Sequence, residues 1–309
     1  MSASFASALN AARDAAASQH YPQGALYVVA TPIGNLADIS LRALHVLELA
    51  DCIACEDTRH TQALLRAYGI DKTTAQLMAV HQHNESEGAQ AVLARLQQGQ
   101  RVAYASDAGT PAISDPGARL VAAVRGAGLR VVPLPGASSI TTALSAAASL
   151  ADGQHGGSFV FEGFLPSKAA ERDAAVQAIA AQPRAVVLLE APHRIEALAR
   201  ALAVLGDRPV TLARELTKQF EEIATVAARD AAAWLDAGAQ RTRGEFVVVV
   251  HPAQHEIASS DGGLRVLRLL LPELPLKTAA KLAAEITGGS KNELYQAALG
   301  LKDSGPPDA

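Results

Sequence analysis

The sequence predicts an α/β protein of two domains, and two observations carry that prediction. Its 309 residues suffice for two ordinary cores at about 150 residues each, and 49% of them are hydrophobic. Short apolar runs alternate with amphipathic ones in a βαβαβ rhythm, which implies a largely parallel sheet covered by helices. Taken in order, residues 1–23 are Ala/Ser-rich, are interrupted by Arg13 and Asp14, and read as a flexible tail. Strand-like runs follow at 26–30, 52–55, 77–80, 101–105 and 130–134. Helix-like stretches lie between them at 41–49, 61–68 (stopped by Gly69), 85–98 (stopped by Gly99) and 118–125. These make a first domain over 24–135. After residues 149–157 the second half repeats the theme, with strand candidates at 158–162, 185–190, 210–214 and 245–251, and forms a second domain over 136–252. Beyond Pro252 a Ser/Gly linker leads to a helical extension over 264–302. Its helices at 276–286 and 291–299 are broken by Gly288-Gly289.

Composition excludes several classes. So apolar a chain is not disordered. No uninterrupted apolar stretch approaches the roughly 18 residues of a membrane helix, and no apolar core follows a basic start, as it would in a secretory signal. A cytoplasmic protein without a membrane partner is expected. Basic residues number 27 against 31 acidic, a net charge of −4. Proteins that coat nucleic acid broadly are basic, so any such contact here must be a local patch. Two cysteines exclude a disulfide framework. They do form Cys52-Ile-Ala-Cys55, but strand positions three apart point to opposite faces, and a redox pair of this spacing needs a helix N-terminus.

In a parallel α/β sheet the ligand crevice lies at the carboxyl ends of the strands. Those ends carry Thr31-Pro32-Ile33-Gly34-Asn35, Glu56-Asp57-Thr58-Arg59, His81-Gln82-His83-Asn84-Glu85, the long loop 106–117 and Pro135-Gly136-Ala137-Ser138-Ser139. All five should cluster on one edge. Neither G-x-G-x-x-G after the first strand nor G-x-x-x-x-G-K-[ST] occurs, so dinucleotide and nucleoside-triphosphate fingerprints are absent. Asp107 and Asp115 in the long loop would repel a phosphate and welcome ribose hydroxyls, an ammonium or a sulfonium. Gly109 allows close backbone approach, and Ser138 or Ser139 reads as the N-cap of a helix whose free N–H groups suit an acceptor. A nucleoside-like ligand with a cationic part fits these features.

The runs L-Y-V-V-A-T-P-I-G-N-L, C-E-D-T-R, S-D-A-G-T-P-A-I-S-D-P-G, P-L-P-G-A-S-S, F-x-G-F-L-P, E-A-P-H-R and A-R-E-L-T-K together resemble the tetrapyrrole-methylase superfamily. More closely, they look like its ribosomal RNA small subunit methyltransferase I branch, which 2′-O-methylates a cytidine of 16S ribosomal RNA. The resemblance runs from about Leu26 to Val250. It implies two α/β/α domains with S-adenosylmethionine in the cleft between them, in a homodimer. Carried over by motif, the cofactor positions are Pro32, Asp107, Ala108, Gly109, Thr110, Ile113, Ser138 and Ser139, with Glu190, Glu215 and Glu245 from the second domain. Tetrapyrrole-modifying relatives carry G-D-P where this chain has Gly109-Thr110-Pro111, which counts against a porphyrinoid substrate.

The implied chemistry is in-line methyl transfer to a ribose oxygen, for which the protein mainly supplies alignment. A proton acceptor within reach should help. Strand-end candidates are Glu56, Asp57, His83, Asp107 and Glu190; the reading favours Asp57 as acceptor with Arg59 holding a phosphate, against a loop-bracing salt bridge. Asn35, His83 and Arg194 are candidate substrate contacts, Arg194 to RNA phosphate. His81, His83 and His193 lack metal-ligand spacing, and no metal is expected. Few aromatics argue against a base-stacking platform. Lys277, Lys281, Lys291 and Lys302 suggest an auxiliary RNA contact in the C-terminal helices, the alternative being a packing cap. The expected partner is small-subunit ribosomal RNA or the 30S subunit. Competing readings are a methyltransferase of tetrapyrroles or other small molecules, and a non-catalytic protein that binds S-adenosylmethionine or RNA.

Overall fold

A computed structural model of the chain describes residues 5–81, 84–114, 117–148, 157–253 and 260–303. Strands β1 (Ala25–Val29), β2 (Cys52–Cys55), β3 (Leu77–Ala79), β4 (Val102–Ala105) and β5 (Arg130–Leu134) form a wholly parallel sheet in the order β3-β2-β4-β1-β5. Strands β1, β2 and β4 are buried along their whole length, which is why they read as unbroken apolar runs. Alternation sends Tyr27, Val29 and Ile53 to the side of α2 (Leu41–Leu49) and α3 (Thr58–Ala67). Leu26, Val28, Cys52 and Tyr104 face α4 (Glu85–Gln97) and α5 (Ala118–Gly126). Cys52 and Cys55 are free and buried. Burial pushes both thiols upward in pKa, Cys55 to about 11, so they stay protonated and unreactive.

The second sheet is not a repeat of the first. Strands β6 (Phe159–Gly163), β7 (Ala185–Glu190), β8 (Pro209–Arg214), β9 (Glu222–Ala227) and β10 (Phe246–Val250) follow the order β6-β7-β10-β8-β9, and only β6 and β7 run parallel. The strand β9, absent from the sequence reading, returns from β8 after seven residues, too few for the crossover a parallel neighbour needs, so the pair is antiparallel. On one face lies α6 (Ser139–Ala147), with Ile140, Ala143 and Leu144 against Val187, Val247 and Val249. The other face is covered by α7 (Ala169–Ala180) and α8 (Ile195–Leu202), and α9 (Ala231–Asp236) joins the same core.

Two helices depart from the expectation. The first, α1 (Ala6–Ala16), falls within the segment read as a tail; it buries Leu9 and Ala12 beside α2, and Arg13 Nε donates to Glu48 Oε2 at 2.9 Å. Its alanines gave no apolar periodicity to read. The second, α10 (Ser260–Leu270), replaces part of the Ser/Gly linker and joins α11 (Leu276–Thr287) and α12 (Lys291–Asp303) around a core of Leu267, Ala279, Ala283, Leu294 and Ala298. Among the described residues no helix is long and apolar enough to cross a membrane.

Candidate active site

The carboxyl ends of the first sheet meet the ends of β7, β8 and β10 across a cavity of about 370 Å³. Its wall from the first half is cross-braced. The backbones of Thr31 and Gly109 exchange two hydrogen bonds, at 2.9 and 3.0 Å, and Thr31 Oγ1 donates to Ser106 O at 3.1 Å. Gly109 holds φ +80°, which L side chains rarely adopt. Thr110 Oγ1 donates to Ala137 O at 3.0 Å and ties the long loop to the one before α6. Asp107 N–H donates to Glu56 Oε1 at 3.3 Å, while Asp57 N–H points to Asp107 Oδ1 at 3.4 Å. The far end of the long loop is anchored by Glu85, whose Oε1 accepts from Gly117 N and Arg119 N at 3.0 and 3.2 Å and so caps α5 from a neighbouring helix.

Ser138 occupies the N-cap position of α6 in an extended conformation, but its hydroxyl makes no capping bond. The expected serine thus stands at the N-cap without making the capping bond, and the first-turn amides of α6 lack that partner beside the cavity. From the second half come Glu190, Glu215 and Glu245. Glu190 is 1% exposed at its side chain; Oε1 accepts from Ala191 N at 2.9 Å and lies 3.0 Å from Arg194 Nε, while Oε2 is buried without a hydrogen bond. Glu215 and Glu245 share Lys218, whose Nζ lies 2.8 Å from Glu215 Oε1 and 3.2 Å from Glu245 Oε2. Burial disfavours the charge on Glu215, yet the hydrogen bonds and positive charges around it prevail and hold its pKa below the ordinary value. Burial likewise opposes the charge on Lys218, but its two carboxylates outweigh that and raise its pKa.

Of the expected cofactor positions, Asp107, Ala108, Gly109, Thr110, Ile113, Ser138, Ser139, Glu190, Glu215 and Glu245 line this cavity. Pro32 does not; it is buried, and its neighbour Ile33 takes the wall. Asn35 caps a 3₁₀ turn instead, accepting from Ala37 N at 3.0 Å. Asp57 is the N-cap of α3, accepting from Arg59 N at 2.8 Å, and also holds Arg59 Nη2 at 2.7 Å. These bonds hold its carboxyl far below the usual range, which makes Asp57 a poor proton acceptor. Glu56, not Asp57, reaches the cavity wall. The guanidinium of Arg194 is directed inward to Glu190 and to Leu165 O, not outward to a phosphate. His83 and Asp115 lie outside the described residues. Lys218 had no role in the sequence reading, although it ends the A-R-E-L-T-K run; the signal was a cation three residues after a predicted site carboxylate.

Two α/β sheets meeting in a carboxylate-lined cleft define a class, and the comparisons agree on it. Residues 25–232 match the family model described as Tetrapyrrole (Corrin/Porphyrin) Methylases, and residues 257–302 match the RsmI C-terminal HTH domain. Uroporphyrin-III-C-methyltransferase from Thermus thermophilus shares the fold at 22% identity and a TM-score of 0.52, over 74% of this chain and 94% of that one. So does a cobalt precorrin-4 methyltransferase, at 18% identity and a TM-score of 0.52, over 75% and 98%. Similarity in sequence is far greater elsewhere. Ribosomal RNA small subunit methyltransferase I of Escherichia coli O157:H7 is 52% identical over 281 residues, covering 90% of this chain and 95% of that protein. The protein of that name from Pseudomonas aeruginosa is 49% identical, covering 89% and 97%. The chain belongs, within the tetrapyrrole methylases, to the ribosomal RNA small subunit methyltransferase I family.

Proposed function

We propose that the chain transfers the methyl group of S-adenosylmethionine to the ribose 2′-hydroxyl of a cytidine in 16S ribosomal RNA. The relatives' shared name supplies the substrate class. The site reading rests chiefly on one observation: carboxylates stand on both walls of the cavity, beside a helix N-terminus whose N-cap, Ser138, makes no side-chain capping bond. Such a cavity repels a phosphate-bearing cofactor and suits a nucleoside with an ammonium and a sulfonium. When bound, S-adenosylmethionine supplies an electrophilic methyl group already activated as a sulfonium. The chain's part is alignment. Asp107 and Glu190 offer acceptors for hydroxyls or an ammonium, and the α6 amides with Ser138 and Ser139 offer donors to an acceptor group. Glu56, at the wall, takes the proton of the attacking hydroxyl. Arg59, 90% exposed and steadied by Asp57, holds a phosphate next to the acceptor ribose.

The C-terminal helices add a second RNA contact through Lys277, Lys281 and Lys291, all exposed; the fourth expected lysine, Lys302, has no described side chain. The working form is a cytoplasmic homodimer, acting on the RNA or on the 30S subunit. Labelled S-adenosylmethionine offered to undermethylated 30S subunits, to naked RNA and to a tetrapyrrole precursor tests the reading. Label should enter ribosomal RNA in one of the first two; label in the tetrapyrrole, or binding without transfer, overturns it.

A further inference from the structure

Lys218, on the second half's acidic wall, packs against Gly34 in the Thr31–Asn35 loop of the first half. Its ammonium bridges Glu215 and Glu245, and Glu215 Oε1 also accepts from Glu245 N–H at 3.0 Å. The turn that presents it is strained, since Glu215 and Thr217 hold φ +50° and +65° without being glycine. It is fastened at both ends: Lys218 N–H donates to Glu215 O at 3.0 Å, and Thr217 N–H donates to Glu221 Oε2 at 2.6 Å. The aliphatic stem of Lys218 then lies flat against Gly34. A Cβ at Gly34 would stand 3.1 Å from Lys218 Cε and 3.1 Å from Thr217 Oγ1, and would overlap Lys218 Cγ outright. Gly34 carries no unusual φ, so its glycine is needed for this approach and not for its own conformation.

We infer that Lys218 is a positioning residue for the cofactor: it fixes Glu215 and Glu245 in one arrangement on the cavity wall, and Gly34 is the seat that keeps it there. This rests on the cofactor reading above. Without the ammonium, the two carboxylates it bridges repel each other and turn away, so the wall loses its shape toward a bound hydroxyl or ammonium. With a methyl at Gly34, the stem of Lys218 is displaced and the bridge breaks in the same way.

The test is S-adenosylmethionine affinity by calorimetry, with KM and kcat for methyl transfer and the melting temperature of the cofactor-free protein, on Lys218→Met, Gly34→Ala and the double variant. Lys218→Met should raise the dissociation constant and KM on the order of tenfold with kcat nearly unchanged, as expected for lost ground-state binding. Gly34→Ala should move both the same way, and the double variant should be no worse than Lys218→Met, because both changes break one bridge. Lys218→Arg, which keeps the charge, should retain most of the affinity and covers the case in which Lys218→Met does not fold. Unchanged affinity in folded Lys218→Met, a lowered melting temperature as its only effect, or losses that multiply in the double variant would each overturn the assignment. A wild-type chain that fails to bind S-adenosylmethionine overturns the cofactor reading itself, and this inference with it.

Discussion

Arg59 gives its Nε and Nη2 donors to Asp57, at 3.1 and 2.7 Å, and leaves its outer edge in solvent. That arrangement pre-orients a guanidinium, which binds phosphate bidentately as lysine cannot. Arg59→Ala should therefore slow transfer to RNA by roughly one to two orders of magnitude through the lost charge-assisted contact, with cofactor affinity unchanged. Arg59→Lys should restore only part. Glu56→Gln, by contrast, should lower single-turnover rate by about a hundredfold or more while sparing both affinities, because it removes the proton acceptor and keeps an oxygen for Asp107 N–H. If activity in Arg59→Ala fell only in step with melting temperature, the residue would be a loop brace. That the E-D-T-R run would stand at the cavity was legible from its place after a strand. Which of its carboxylates faces the cavity was not, because that depends on α3 beginning at Thr58 with Asp57 as its cap.

At the scale of elements, the first sheet was readable nearly strand by strand, since β1, β2 and β4 are buried on both faces and therefore apolar throughout. In the second sheet β6, β7, β8 and β10 were readable too, but β9 and the strand directions were not. Strand direction leaves no mark in composition, and β9 at the edge, with none of its residues fully buried, mixes Glu222 and Thr225 into its run. Helix α1 was hidden for another reason: it docks through few large side chains and an ion pair. Arg13 donates to the Glu48 carboxylate, and that hydrogen bond chiefly holds Glu48 below its ordinary pKa of 4.5. A carboxylate with a depressed folded pKa stabilises above its unfolded pKa and loses that contribution as pH falls through the folded value. Docking of α1 should thus weaken in acid. Amide exchange of residues 6–16 should be faster at pH 3 than at pH 6 relative to the core, and Glu48→Gln should be fast at both. Equal protection in the wild type and Glu48→Gln at pH 6 would show that the apolar contacts of Leu9 and Ala12 suffice.

For the whole molecule, the sequence showed the two halves and the edge on which their loops meet, because strand ends in a parallel sheet have a fixed place. It could not show the bridge of Lys218 across to Gly34, which exists only once both halves are assembled. The C-terminal helices build a small core of their own and carry exposed lysines away from it. Removing residues 260–309 should weaken RNA binding severalfold and flatten its salt dependence, leaving cofactor affinity intact; unchanged RNA affinity would make the unit a packing element. If this cleft methylates a ribose oxygen, alkali reads that directly, because hydrolysis of RNA needs a free 2′-hydroxyl. Undermethylated 30S subunits treated with the protein and S-adenosylmethionine carrying a labelled methyl group should, after alkaline hydrolysis, yield the label in an alkali-stable dinucleotide that begins with cytidine. Label recovered in single nucleotides, where methylation of a base would leave it, would show that the ribose oxygen is not the acceptor.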